Sequence, residues 1–241
     1  MNSPLPHGNS SPVISNQSVP SPDLAKVVER HLRGKWQKPL AQHSRFVWEK
    51  TLPLLLAAKK EKLELILDSG CGTGESALNL SLIHPQAMII GVDQSLHRLK
   101  RGTAAFKRRG VEMESLLTSS LPEQFIQKSK DGRILLLRAE LGDFWQLWTQ
   151  AELLAARHYL LYPNPWPLQA HLKRRWHGHP LFSLLPRISL FTELRTNWKI
   201  YGEEFAEGWR LLGNPQPIIE KFEPKNPLSP FESKYFASQH P

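Results

Sequence analysis

Cysteine is almost missing from this chain: Cys71 is the only one in 241 residues. A lone thiol excludes an internal disulfide and fits a reducing compartment. It also leaves the histidines without thiolate companions at ligand spacing, so no metal site is expected. No apolar run approaches the roughly 20 residues that a bilayer span needs. No positively charged segment leads into an apolar one at the N-terminus, so no secretory signal is read and a cytoplasmic location is expected. Residues 1–22 carry no charged side chain other than His7 and are rich in Ser, Pro and Asn. Such a segment cannot bury enough apolar surface to fold, and a disordered tail is expected there. There is no internal repeat.

Acidic residues are also in short supply. The chain has 31 Lys and Arg against 22 Asp and Glu, a net charge of +9 and a pI near 9.7. This balance points to a polyanionic partner, nucleic acid before an acidic small molecule. Two stretches hold no acid at all. Residues 95–110 carry Arg98, Lys100, Arg101, Lys107, Arg108 and Arg109, and residues 171–177 carry His171, Lys173, Arg174, Arg175 and His177. The first has helical spacing and reads equally well as a solvated helix face.

Against these absences stands Leu65-Ile66-Leu67-Asp68-Ser69-Gly70-Cys71-Gly72-Thr73-Gly74. An apolar run ends in an acid, glycines follow at alternate positions, and a helix-period pattern begins at once. Met88-Ile89-Ile90-Gly91-Val92 is a second apolar run and also ends in an acid, Asp93. Glycines let a backbone turn tightly from strand to helix and approach a ligand closely. An acid at the end of the next strand can bind both hydroxyls of a ribose. Cys71, inside the loop, reads as a small filler rather than a nucleophile.

The remaining pattern alternates strand and helix. Strands are expected at about 63–68, 87–92, 133–138, 157–162, 189–195 and 217–223, and helices at about 74–84, 95–109, 143–154, 179–186 and 198–211. This predicts an α/β fold with a doubly wound, mostly parallel sheet and helices on both faces. Ahead of it, Asp23 reads as the N-cap of a helix, His31 to Lys38 as a basic extended segment, and residues 42–58 as a second helix. Residues 111–132 break the alternation and read as an insertion with a short helix over 122–129.

Tyr162-Pro163-Asn164-Pro165-Trp166-Pro167 follows the fourth strand. Prolines around Asn164 fix the backbone, and Trp166 offers a flat face for stacking on a base, worth about 1–3 kcal/mol. The alternative is a rigid loop with a core tryptophan.

The spacing D-x-G-x-G-x-G differs from the dinucleotide fingerprint G-x-G-x-x-G. It resembles motif I of the S-adenosylmethionine (SAM) methyltransferases. Further on, the chain resembles the tRNA (guanine-N7)-methyltransferase family. Pro163-Asn164-Pro165-Trp166 with His171-Leu172-Lys173-Arg174-Arg175 is similar to that family's P-D-P-W followed by R-H-x-K-R-R. Thr196-Asn197-Trp198 looks like its T-D-W, Ser229-Pro230-Phe231-Glu232 like its T-x-F-E, and Arg138-Ala139-Glu140 like its adenine-side A-D. The match covers about residues 63–236. It implies a class I methyltransferase domain over 23–241, with a basic helical extension over 23–60, SAM as cofactor, and tRNA or another structured RNA as partner. It says nothing of the oligomeric state.

By this resemblance Asp68, Gly70, Gly72 and Gly74 would line the methionine end of SAM. Asp93 would take the ribose and Glu140 the adenine amino group. Asn164 would sit between donor and acceptor base, beside Trp166. His171, Lys173, Arg174 and Arg175 would hold tRNA phosphates, while Asn197 and Ser229 to Glu232 would close the guanine pocket.

The chain also departs from the family pattern. Asparagine replaces aspartate at Asn164 and Asn197, Leu168 stands for a lysine and Ala170 for an arginine. An asparagine accepts a hydrogen bond but cannot neutralise a methylated, cationic guanine. The family continues past T-x-F-E into a last strand, whereas only about nine residues follow Glu232 here. Either that strand is missing or an earlier segment takes its place. Two other readings therefore stay open. Asn-Pro followed by an aromatic is similar to the box of methyltransferases acting on exocyclic amino groups. The lost carboxylates also fit a weakly catalytic protein that binds RNA and SAM.

Overall fold

The computed structural model describes residues 10–117, 123–223 and 225–238. The chain divides into two compact units. One comprises residues 38–161 and 184–193; the other comprises residues 1–37, 162–183 and 194–241.

The first unit is built on a seven-stranded sheet. Its strands are β1 (Glu64–Ser69), β2 (Ala87–Asp93), β3 (Met113–Ser115), β4 (Ile126–Ser129), β5 (Ile134–Arg138), β6 (Ala155–Leu161) and β7 (Ser189–Arg195), whose last two residues pass into the other unit. The order is β3-β4-β5-β2-β1-β6-β7. β1 pairs in parallel with β2 and β6, and β2 with β5. The strands are continuous apolar runs because they are covered on both faces: Ile66, Leu67, Ile89, Ile90, Leu135 and Leu136 are all fully buried. The covering helices are α2 (Gln42–Lys60), α3 (Glu75–Ile83), α4 (Leu96–Arg108) and α5 (Leu141–Gln150). α3 packs with α4, and α2 with α5, giving a helical layer on each face. Right-handed crossovers produce this arrangement when the strand order reverses, as it does beside β1. The fold class is therefore α/β, doubly wound and mostly parallel. Ligands bind such sheets at the carboxyl ends of the strands near the reversal.

The other unit holds α1 (Leu24–Arg33), short 3-10 turns between Gln169 and Arg187, α6 (Lys199–Leu211) and α7 (Pro230–Ala237). Leu24, Val27, Val28 and Leu172 form one buried cluster, with Leu211 and Leu212 packed against it.

The structure corrects several expectations. No strand forms at 217–223, where Ile218 and Ile219 are exposed and the backbone makes no ladder. Nothing after β7 is strand among the described residues. The 111–132 insertion is not helical over its described part. β3 and β4 pair antiparallel and β4 joins β5, so the segment extends the sheet with β3 at its edge; residues 118–122 lie outside the described residues. The helix expected over 179–186 is a 3-10 helix, Pro180–Arg187, with Pro186 inside it. Asp23 occupies the N-cap position of α1 but makes no side-chain cap. His31 and Arg33 are helical, so the extended basic segment starts later.

Residues 10–22 are not a free tail. Gln17 and Ser21 are buried, and Ser15 Oγ donates to the Pro167 carbonyl at 2.5 Å. Composition misses this because the segment is fastened by polar groups rather than apolar area. Residues 1–9, the rest of the expected tail, lie outside the described residues.

Candidate functional site

At the carboxyl end of β1 the chain leaves the sheet through the glycine loop. Gly70, Gly72 and Gly74 all have positive φ, at 82°, 59° and 78°. That left-handed region is strained for other residues, so the glycine spacing follows from the backbone path. Gly70 N–H and Cys71 N–H both donate to the Val92 carbonyl, at 2.8 and 3.2 Å, which ties the loop to the end of β2. A Cβ on Gly74 would lie 2.9 Å from the Leu136 methyls, while one on Gly72 would meet nothing within 4 Å. The loop therefore packs at its helix end and is open in the middle.

Both candidate acids are buried. Asp93 accepts from Gly72 N–H at 3.0 Å on Oδ2 and from Ser95 N–H at 2.7 Å on Oδ1, and Arg98 lies 3.2 Å from Oδ1. One carboxylate thus joins the middle of the loop to the start of α4. Asp68 accepts from Ser76 Oγ at 2.5 Å on Oδ2, but its buried Oδ1 has no hydrogen-bond partner among the described residues. Burial, with Asp93 close by, raises its carboxyl to about 7 despite the Ser76 bond. Burial and the same two acids push the Cys71 thiol up, so it stays protonated filler.

Glu140 stands at the N-cap of α5, half-buried, with its N–H donating to Ser44 Oγ at 3.1 Å. Beneath the loop, Ser69 Oγ bonds Trp145 Nε1 at 3.0 Å and His158 Nε2 at 2.8 Å. Burial holds His158 down at about 3, so it is neutral.

Sequence reasoning missed Gly102 on α4. A Cβ there would lie 1.7 Å from the Thr73 carbonyl oxygen, so α4 packs directly on the loop backbone. A glycine inside a basic helical pattern was the available signal.

In the other unit, the chain leaving β6 enters the proline-rich turn. Tyr162 and Trp166 have φ of 52° and 46°, and Asn164 between them is exposed. Positive φ at non-glycine residues costs about 1–3 kcal/mol each and persists only where the surroundings over-determine it. Trp166 is gathered with two basic residues: the Arg174 guanidinium sits 4.7 Å from its ring centre and His171 meets it edge-on at 5.7 Å. Lys173 and Arg174 are exposed on the 3-10 turn Gln169–Arg174.

Arg175 is different, because it is fully buried. It pairs with Glu204, donates to Gln17 Oε1 at 2.9 Å and to the carbonyls of Trp166 and Leu168, and lies over Trp198. Glu204 also accepts from Gln17, Ser21 N–H and His177 Nε2. Burial works to raise the Glu204 carboxyl; the bonds from His177, Arg175 and Ser21 outweigh it and bring it to about 2. His177, also buried, is shifted downward and donates as a neutral ring.

Ser229 and Glu232 lie at the start of α7. Ser229 Oγ caps the helix by accepting from Glu232 N–H at 3.2 Å. The buried Glu232 carboxylate accepts from Arg195 at 2.8 Å, Leu228 N–H at 2.6 Å and the Tyr162 hydroxyl. The Asn197 side chain bonds the Tyr235 hydroxyl, and the Tyr235 ring lies 5.3 Å from that of Tyr162.

Among the described residues no helix is long and apolar enough to cross a membrane, and no group of His, Cys, Asp and Glu could hold a metal ion.

No family profile matches the chain. Over 126 residues it is 27% identical to a tRNA (guanine-N(7)-)-methyltransferase of Neorickettsia sennetsu (strain ATCC VR-367 / Miyayama), a match covering 52% of this chain and 48% of that protein. The chain thus spans about half the length of this curated relative. Solved structures similar to it include the antibiotic-resistance methyltransferase Kmr, with a TM-score of 0.40 and 16% identity over 66% of this chain and 82% of that one. The 16S rRNA methyltransferase KamB gives 0.34 and 16%, over 76% and 70%. An SAH-bound methyltransferase of Podospora anserina, PaMTH1, gives 0.31 and 13%, over 85% and 87%. The proteins named here, to which the chain is similar, are all methyltransferases.

Proposed function

We propose that this protein is a SAM-dependent RNA methyltransferase whose acceptor is N7 of a guanine in tRNA. The observation that carries the reading is the left-handed glycine loop latched to Asp93, with the buried Asp68 carboxylate beside it, one oxygen of which has no hydrogen-bond partner among the described residues. Both features fit the cofactor. A buried carboxyl lifted to about 7 is stabilised by a cation, and the methionine end of SAM carries an ammonium group. The open space at Gly72 admits a ligand against the backbone. Asp68 and the three glycines would hold the methionine end, Asp93 the ribose and Glu140 the adenine.

SAM, when bound, supplies a methyl group already activated on a sulfonium. Guanine N7 has a lone pair and no proton, so the chain need not provide a general base. Its residues have to align N7 and exclude competing orientations. Asn164, held by its prolines and by strained neighbours, accepts from the base. Trp166, with Arg174 on its ring, stacks on it. Lys173 and Arg174, with His171, hold backbone phosphates. Arg175 serves inside the fold, fixing the carbonyls of Trp166 and Leu168. Ser229 and Glu232 set α7, and Asn197, bonded to the Tyr235 hydroxyl, would close over the guanine. The 27% identity to a tRNA (guanine-N(7)-)-methyltransferase supports the choice of acceptor.

Incubation of bulk tRNA with the purified protein and SAM, followed by nucleoside mass spectrometry, tests the reading. New 7-methylguanosine is expected. New N2-methylguanosine or N6-methyladenosine instead would transfer the reaction to an exocyclic amino group. No product, with SAM binding intact, would leave a binding protein.

A further inference from the structure

α4 carries a second feature besides its contact with the glycine loop. At roughly 100° per residue, Leu99, Gly102, Ala105 and Phe106 form its buried face. Lys100, Arg101, Lys107 and Arg108 fall on the opposite face within an arc of about 120°, together with His97 and Ala104. All of these are exposed. None of the four cations has an ion-pair partner among the described residues, whereas Arg98 pairs with Asp93 and Arg109 bonds Asn79. The pairs Lys100-Arg101 and Lys107-Arg108 stand about 10 Å apart along the axis.

Helix stability accounts for only part of this face. A solvated helix gains from a glutamate four residues before a lysine or arginine, and α4 contains no acid. Lys107 and Arg108, in the last turn, suit the helix dipole, but Lys100 and Arg101 lie too far from either end to gain from it. Like charges at 100 and 101, and at 107 and 108, repel one another. The arrangement becomes favourable when a polyanion lies along it and releases its counterions.

We infer that the outer face of α4, formed by Lys100, Arg101, Lys107 and Arg108, is an RNA-docking surface separate from the Lys173-Arg174 cluster. The occupant is the sugar-phosphate backbone of a structured RNA, since the four cations are interleaved with no Phe, Tyr or Trp on this face and outnumber its one ring, His97. This rests on the RNA reading of the proposed function. Gly102 gives the surface a direct mechanical link to the cofactor loop, because the same helix presses on the Thr73 carbonyl.

The test is binding of transcribed tRNA to the full chain between about 50 and 200 mM salt. It compares the wild type, the quadruple variant K100A/R101A/K107A/R108A and the separate variant K173A/R174A. The quadruple variant is expected to bind at least about tenfold more weakly, with a salt slope shallower by about 2 or more, at roughly one unit per lost phosphate contact. Its affinity for S-adenosylhomocysteine should match the wild type, which shows that the fold persists. Loss in K173A/R174A alone, with wild-type affinity and slope in the quadruple variant, would overturn the inference and leave the RNA reading standing. Failure of the wild type to bind tRNA would overturn both. Preference of the wild type for anionic phosphatidylserine vesicles over tRNA, lost in the quadruple variant, would assign the face to a lipid surface and overturn the inference.

Discussion

Asp68→Asn should stabilise the ligand-free protein while weakening its hold on SAM. The Asp68 carboxyl is fully enclosed, with Oδ1 unpartnered, and it is raised from 3.8 to about 7. Between those values the folded state holds a proton that the unfolded chain has already released. Stability from this group is therefore complete below pH 3.8 and lost as the pH rises to about 7. At roughly 1.4 kcal/mol per pH unit, the difference amounts to about 4 kcal/mol. Asparagine keeps the shape and can accept from Ser76 but has no proton to lose. The variant should match the wild type near pH 4 and exceed it by up to about 4 kcal/mol at pH 7.5. Urea unfolding of both proteins across that range reads the difference directly. Calorimetry should show the wild type releasing a proton as it takes up SAM near pH 6.5, and the variant binding weakly with no release. A constant stability difference between the two proteins from pH 4 to 7.5 would refute the claim that a buried carboxyl is ionised at a cost there.

Asp93→Ala removes the acceptor for Gly72 and Ser95 N–H groups, so SAM affinity should fall at least about tenfold, the scale of one charge-assisted bond lost. An unchanged calorimetric dissociation constant would displace the cofactor from this loop. Gly102→Ala drives a methyl into the Thr73 carbonyl and should cost about 3 kcal/mol or more in unfolding free energy, with weakened SAM binding. Arg175→Ala leaves Glu204 buried without its guanidinium and should destabilise by about 3–5 kcal/mol, unlike the exposed Arg174→Ala. Equal melting temperatures for the two would contradict the buried hub. Asn164→Asp should preserve or raise 7-methylguanosine yield in the tRNA assay, because a carboxylate offsets the cationic product; a complete loss would favour an amino-group acceptor.

The α/β class was legible because its signals are local. Each central strand is an unbroken apolar run, and the helices follow within a few residues. The glycine loop was legible for the same reason, since positive φ at 70, 72 and 74 leaves glycine as the residue to be expected. What misled was whatever depended on distant partners. Ile218-Ile219 has strand composition, but no neighbouring strand offers it a ladder. The segment 122–129 reads as a short helix when taken alone; Ile126 instead begins a strand because β5 and β3 are there to pair with on either side.

The sequence by itself determined the succession of strands and helices, the basic runs and the candidate acids. Tertiary structure decided what each does. Arg174 and Arg175 are adjacent and chemically identical, yet one is exposed on Trp166 and the other is enclosed with Glu204. Asp68 and Asp93 both end apolar strands, yet Asp93 is saturated by loop and helix N–H groups while Asp68 keeps one oxygen bare. The polar segment at 10–22 became part of the fold because Gln17 and Ser21 reach a carboxylate far along the chain, at Glu204. Sequence specifies local geometry through sterics and periodicity; burial and the pairing of charges arise only when distant segments meet.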